Sequence, residues 1–536
     1  MKRLLLYSTL LGLPGIAFAQ SAFEGATIAQ NDLKGTARFM SMGGSFGALG
    51  ADLSTLSQNP GGIGVYRNSE LGFTLDLDMQ NANAKSMGSN MSQDQTKFLL
   101  NNIGGVATFR LNSSAVPNIN IGFTYNKAAS FNRAFRGSIP TLHNSMSNYI
   151  AGVTNNDGAS VDMLQSNNIY GSAYTGNAQW ISILGYDSFL ITPIGNENSP
   201  TWVGQWDDGT SGSGQFASVE KGSIDEYNIA FGGNINNIVY WGMDFGIIDF
   251  NYTAETRWAE SLDNAWVANP NNEIVKTKAN WNLYNYYNLQ GSGFNYKLGF
   301  IVKPIQELRL GFAFHTPTWY SFDQYYYAAV NYDYNNGINS GYAETNDGYD
   351  GYSSFNFRTP WHLIFSAAGV IGNNLIVSAN YEWEPTHAIH FSDTYSYGNE
   401  LQDSYYLTNE DAKNYFKSTN IISLGAEYRI TPQFSVRAGY RYVTSPTKSE
   451  IADNQLDVYT AGTRPQYVLS DATNYVTCGL GYKYKHFYAD LAYVYKHRKG
   501  SFHAYSPDPS TPNIPSPQAD IAFNNNQLVL SMGFKF

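Results

Sequence analysis

Ten-residue stretches in which apolar and polar side chains alternate recur in pairs along this chain, and the last of them ends it on phenylalanine. In "QLVLSMGFKF", Leu528, Leu530, Met532, Phe534 and Phe536 share one face, while Gln527, Ser531, Gly533 and Lys535 share the other. A period of two places successive side chains on opposite sides of an extended strand. Strands of this length, greasy on one side and polar on the other, suit a wall between lipid and a polar lumen.

The segments come in hairpins. Residues 103–111 pair with 118–126, 226–234 with 238–249, and 293–302 with 307–316. Residues 361–370 pair with 374–384, 420–430 with 433–443, and 474–484 with 487–497. An opening strand 70–79 and a closing strand 527–536 bring the count to fourteen, an even number that leaves both termini on one side. The faces agree from strand to strand. Phe434, Val436, Ala438, Tyr440 and Tyr442 oppose Ser435, Arg437, Gly439 and Arg441, and Leu375, Val377, Ala379, Tyr381 and Trp383 oppose Ser378, Asn380, Glu382 and Glu384. Apolar faces finish in Tyr or Trp at the long-loop end, where an interfacial girdle belongs. By the same alternation Cys478 faces outward with Val476 and Leu480. Connections at one end span a few residues; at the other they cover 127–225, 250–292, 317–360, 385–419, 444–473 and 498–526. The fold class expected is therefore all-β, a 14-stranded antiparallel transmembrane β-barrel over 70–536 with long extracellular loops.

The start of the chain fits that destination. Lys2 and Arg3, an apolar run and Ala17-Phe18-Ala19 read as a signal peptide over 1–19. No later stretch reaches the roughly 18 apolar residues of a spanning helix. Only 14% of residues are charged while 15% are aromatic, and the net charge of −11 disfavours a nucleic-acid partner.

Residues 20–69 precede the wall and do not alternate. "GTARFMSMGGSFGALGADLSTLSQNPGGIGVY" mixes glycine with Ala, Leu, Met and Phe, whereas a free tail would be more polar. A barrel this wide cannot fill its bore with wall side chains alone, so this segment is expected to fold inside it as a plug. Asn59-Pro60 sets a rigid turn. The spacing Gly44-x-x-Gly47-x-x-Gly50 is not a phosphate loop, because no strand precedes it and no βαβ unit surrounds it.

This segment resembles the N-terminal hatch of FadL-type outer-membrane transporters of long-chain fatty acids and other hydrophobic compounds. The resemblance rests on Gly35, Arg38 and Phe39, on Gly43, Gly44 and Gly47, and on Asn59, Pro60 and Gly61. The chain departs from the family in having Gly61 where Ala is common and in its long second external loop. The terminal strand ending at Phe536 resembles the signal read by the barrel-assembly machinery. The resemblance implies passive uptake across the outer membrane of a Gram-negative bacterium, with capture by outer loops, gating by a hatch from Phe23 to Tyr66, and contact with outer-membrane lipids. It implies no cofactor and no catalysis. An acid head group would need a cation, and Arg309, Arg437, Arg441 and Lys483 face inward by alternation; the competing reading is structural, with Glu427 opposite Arg437.

Two further readings stay open beside transport. Relatives of this kind are sometimes labelled hemin receptors, and His387 and His390 stand at i, i+3 in "EPTHAIHF". A barrel adaptor binding protein partners of a secretion system is the other. An enzyme is disfavoured: there is no Gly-x-Ser-x-Gly elbow, and His143, His315, His362, His486, His497 and His503 form no recognisable set. Asp347 and Asp350 lack the spacing of a calcium loop. The tracts "NLYNYYNLQ" and "TPTWYSFDQYYYAAVNYDY" read as loop sequence, available to line a capture groove.

Overall fold

Alternation along the chain is realised as a wall that closes on itself. The computed structural model describes residues 21–165, 170, 178–269, 273–334, 339–372, 374–394, 404–452, 463–506 and 516–536. The expected leader over 1–19 lies outside them. The wall strands are β1 (Glu70–Ser86), β2 (Ser89–Arg110), β3 (Asn118–Ser130), β4 (Ser211–Ile235), β5 (Val239–Ala268), β6 (Ile274–Val302) and β7 (Leu308–His315). They continue as β8 (His362–Ile371), β9 (Leu375–Glu384), β10 (Thr419–Arg429), β11 (Phe434–Val443), β12 (Tyr467–Tyr484), β13 (Phe487–His503) and β14 (Gln518–Lys535). Each is antiparallel to the next, and β14 returns to β1 from Glu70↔Lys535 to Lys85↔Asp520, which closes the 14-stranded barrel. Closure leaves no edge strand in lipid, where an unpaired backbone group has no water to turn to.

The expected faces are the observed ones. On β11, Phe434 and Tyr440 are exposed while Arg437 and Arg441 are buried toward the lumen. Aromatic pairs gather at the upper edge of the lipid-facing band: Trp319 with Phe294 at 5.3 Å, Trp361 with Trp383 at 4.8 Å, and Tyr125 with Tyr227 at 5.5 Å. Cys478 is exposed on that outer surface.

Two regions differ from the sequence reading. Strands β4, β5 and β6 run 25, 30 and 29 residues, far past the girdle. The tract Asn282–Gln290 belongs to β6, and Trp319–Tyr334 is a strand hydrogen-bonded to it, so these tyrosine-rich stretches are sheet rather than loop. The physical reason is a continued period of two: Trp281, Leu283, Tyr287 and Leu289 pack inward on a core above the barrel, and only the Tyr/Asn outward face looks like loop sequence. Likewise β1 and β2 meet across Met87-Gly88 as one long hairpin, where the sequence marked only the segments 70–79 and 103–111.

The external segments pack as a cap. Helices Met146–Asn156 and Trp180–Asp187 bring Ile150, Ile183 and Leu184 against Trp202, Trp258, Phe502 and Phe523. Below that cap, at the girdle, strands break at Pro317, Pro360 and Pro385, where a ladder donor is missing.

Candidate functional site

Residues 21–66 run from among the external segments down into the bore, and Arg67 and Asn68 emerge exposed at the short-turn rim. Helix α1 (Ala22–Ile28) begins with a capping box between Ser21 and Glu24, and α2 (Ala37–Ser41) is capped by Thr36. A single turn, α3 (Thr55–Gln58), leads into the Asn59-Pro60 step. There the Asn59 side chain accepts from Gly61 N at 3.0 Å and donates to Gly47 O at 2.5 Å and Phe300 O at 3.3 Å. Asn59 thus ties two parts of the segment to each other and to the wall. Met40, Met42, Phe46, Leu53, Leu56 and Ile63 are fully buried, each worth about 1.5–3 kcal/mol against exposure.

Glycine-to-glycine contact sets how closely the segment approaches the wall. A Cβ on Gly61 would stand 2.8 Å from Gly299 C, one on Gly242 2.0 Å from Pro60 O, and one on Gly311 2.3 Å from Gly47 O. Gly43 meets Tyr440 O at 2.9 Å in the same sense, and Gly47 would collide with Ser366. Gly44 has φ +74, a conformation that side chains disfavour. The wall glycines Gly242, Gly299 and Gly311 escaped the sequence reading, since inward polar positions there gave no hint that a backbone comes against them. We expect Gly242→Val to push the Asn59-Pro60 step off the wall, costing about 1–3 kcal/mol. A higher ion conductance in planar bilayers, with heat-modifiable migration of the barrel retained, is the expected readout.

Charges latch the same segment. Lys34 pairs with Asp76 at 2.6 Å and Asp78 at 3.5 Å, and Asp32 with Lys496 at 2.9 Å. Arg38 reaches Glu427 at 3.0 Å and lies over the Phe46 ring at 5.2 Å, while Phe39 packs on Phe46. Burial alone would push the Asp32 carboxyl up, but Lys496 and Lys34 outweigh it and hold it well below the ordinary aspartate range. Burial does raise the Glu24 carboxyl, in spite of Arg464 at 2.7 Å. Asp76 and Asp78 stand at inward positions of "LDLD", a signal that could have been read from the pattern; their partner Lys34 could not.

Of the four cations expected to face inward, Arg309, Arg437 and Arg441 are tied into contacts and Lys483 is exposed. Arg437 lies in register with Glu427 and binds it at 2.6 Å, as well as Asp490 at 2.6 Å. Arg441 pairs with Glu382 at 3.3 Å, and Arg309 donates to Leu49 O at 2.7 Å. Lys483 lines a cavity of about 310 Å3 between Arg38, Asp52 and the short turns. None of the four borders the ring-walled pocket beside α1. That pocket, about 120 Å3, is bounded by Phe23, Phe135, Phe250, Tyr252, Leu289 and Phe502, with Arg133 and Arg464 also in its wall. Arg133 is held by Glu220 at 2.6 Å. A neighbouring cavity of about 150 Å3 is polar, with Lys297, Glu226, His315 and His362 around it. Among the described residues no group of three or more His, Cys, Asp or Glu is placed to hold a metal ion.

A closed antiparallel barrel with lipid-facing aromatics and its own amino-terminal segment packed in the bore is a transmembrane barrel of the outer-membrane class. The chain belongs to the family described as Outer membrane protein transport protein (OMPP1/FadL/TodX), whose model matches residues 213–530. It is thus a barrel of the Gram-negative outer membrane, in a family of channels for hydrophobic compounds rather than of enzymes. Among solved structures it is similar to a Pseudomonas aeruginosa FadL homologue, at 12% identity and TM-score 0.49 over 94% of this chain and 99% of that one. The P. putida toluene transporter TodX matches at 12% identity and TM-score 0.48, over 94% and 99%. The Ralstonia pickettii toluene transporter TbuX matches at 12% and 0.46, again over 94% and 99%. No curated protein matches the chain.

Proposed function

We propose that this barrel takes up amphiphilic hydrophobic compounds of the long-chain fatty-acid kind, passively, with the segment from Phe23 to Tyr66 as its gate. The observation that carries this reading is the pocket beside α1. Its ring-lined wall suits an alkyl chain, and Arg133 and Arg464 supply cations for an acid head. Solute captured among the outer segments reaches this pocket and competes with Glu24 for Arg464. Phe23 stacks on Tyr415 at 5.5 Å and on Tyr467 at 5.9 Å, so a chain that displaces it loosens α1 from the external segments. Arg38, Phe39, Gly43, Gly44, Gly47, Asn59, Pro60 and Gly61 seat the rest of the gate, and Arg309, Arg437 and Arg441 hold that seat rather than the cargo.

Uptake into liposomes carrying the protein tests the reading, with a long-chain fatty acid, haem and a small sugar offered in turn. The fatty acid should enter and the sugar should not. Arg464→Ala should weaken fatty-acid binding by roughly tenfold, the worth of one charged hydrogen bond, while leaving the alcohol of the same chain length unaffected. Uptake of haem alone would make the barrel a haem receptor. Equal loss for acid and alcohol would remove Arg464 as the head-group contact.

A further inference from the structure

Above the girdle the outward face of four neighbouring strands of the wall sheet carries tyrosines in register. Across β5, β6 and the strands Trp319–Tyr334 and Gly351–Arg358, Glu255 aligns with Tyr286 and Tyr327, and Asn288 aligns with Tyr325 and Tyr352. Tyr325 and Tyr352 lie ring to ring at 5.3 Å; the Tyr352 hydroxyl donates to Asp323 at 2.7 Å and the Tyr327 hydroxyl to Glu344 at 2.8 Å. Tyr352 remains 57% exposed and Tyr342 beside Tyr327 53%. Cross-strand pairing stabilises any sheet, but it does not call for hydroxyl-bearing rings interleaved with Asp323 and Asn288 on a face turned to solvent.

The same face, lower down, is the lipid-facing wall. Phe294, Tyr296 and Trp319 are exposed there, and Tyr325 and Tyr327 follow Trp319 on one strand. At about 3.3 Å per residue they stand ~20–26 Å further along the strand. A glycolipid whose acyl chains pack lower on the wall, on Tyr296, Leu298 and Phe300, carries its phosphates at the girdle beside Trp319 and its sugars at the height of the tyrosines. Arg358, exposed and in register with Trp319, supplies the cation at phosphate level. Ring faces accept the C–H side of a pyranose, and Asp323, Asn288 and the tyrosine hydroxyls supply hydrogen bonds for its hydroxyls. We propose that this tyrosine platform binds the polysaccharide of the surrounding outer-leaflet glycolipid. The surface is continuous with the membrane interface and separate from the lumen, so the site goes beyond transport and does not depend on the cargo.

Detergent-solubilised full-length protein is mixed either with smooth lipopolysaccharide or with lipid A, which lacks the polysaccharide, and retained glycolipid is measured after size exclusion. Wild-type protein should retain at least about threefold more of the smooth form, as stacked rings imply. Equal retention overturns the proposal. Replacing Tyr325, Tyr327 and Tyr352 together by Ala should abolish the preference, whereas replacing them by Phe should keep most of it; an unchanged alanine variant, or a phenylalanine variant as poor as alanine, also overturns it. Should the alanine variant fail to fold, Asp323→Ala with Asn288→Ala leaves every ring in place and must still lower the preference; no change there is equally fatal.

Discussion

A chain lacking residues 21–66 should insert, fold and conduct ions at least about tenfold better than the intact protein, because a barrel of fourteen strands is too wide for its own side chains to fill. The described segment occupies the bore with backbone: Gly61 against Gly299, Pro60 O against Gly242 and Gly47 O against Gly311. Removing it exposes Asp76, Glu427, Arg437 and Arg441 to water rather than to lipid, so the wall should survive the loss. The freed polar groups become hydrated, and the outward apolar face is untouched. Planar-bilayer conductance is the measurement, with heat-modifiable migration as the check that the barrel still closes. Conductance equal to that of the intact protein would mean that the segment does not block the pore.

Glu427→Ala should be the most damaging single substitution near the seat. Glu427 accepts from Arg38 at 3.0 and 3.2 Å and from Arg437 at 2.6 Å, bridging the amino-terminal segment and the wall. Its loss removes the carboxylate that Arg38 binds, while Arg437 keeps Asp490 and the Ser435 hydroxyl. Breaking one member of a buried ion pair costs about 3–5 kcal/mol. The adjoining cavity of about 310 Å3 lets water relieve part of that, so the lower end is expected. The thermal midpoint of the folded barrel should fall and conductance should rise, with Glu427→Gln recovering part of both by accepting a hydrogen bond. An unchanged midpoint together with unchanged conductance would show that the bridge contributes nothing to docking.

Much of the wall was legible because lipid on one side and a lumen on the other impose a strict period of two. The six short-turn hairpins, the closing strand and the direction of Arg437, Arg441 and Cys478 all follow from that period. The Glu427–Arg437 pair was legible too, since a short turn fixes which residues face each other. The strands above the girdle were not. In Asn282–Gln290 and Trp319–Tyr334 the inward face packs on the core above the barrel, but the outward face is Tyr, Asn, Asp and Ser, and that composition makes such a strand look like loop. The pocket cations Arg133 and Arg464 escaped for a related reason: they come from an external strand and an external segment, whose return toward α1 leaves no periodic trace.

Local sequence determined where each strand crosses the membrane, which way its side chains point there and which short turns reverse it, because those depend on neighbours a few residues away and on the solvent each face meets. Tertiary structure alone decided which wall glycine admits which hatch backbone, that Lys34 answers Asp76 across 42 residues and Arg38 answers Glu427 across 389, and that Phe23 lies among external aromatics. Those contacts join parts of the chain whose proximity exists only once the cylinder has closed.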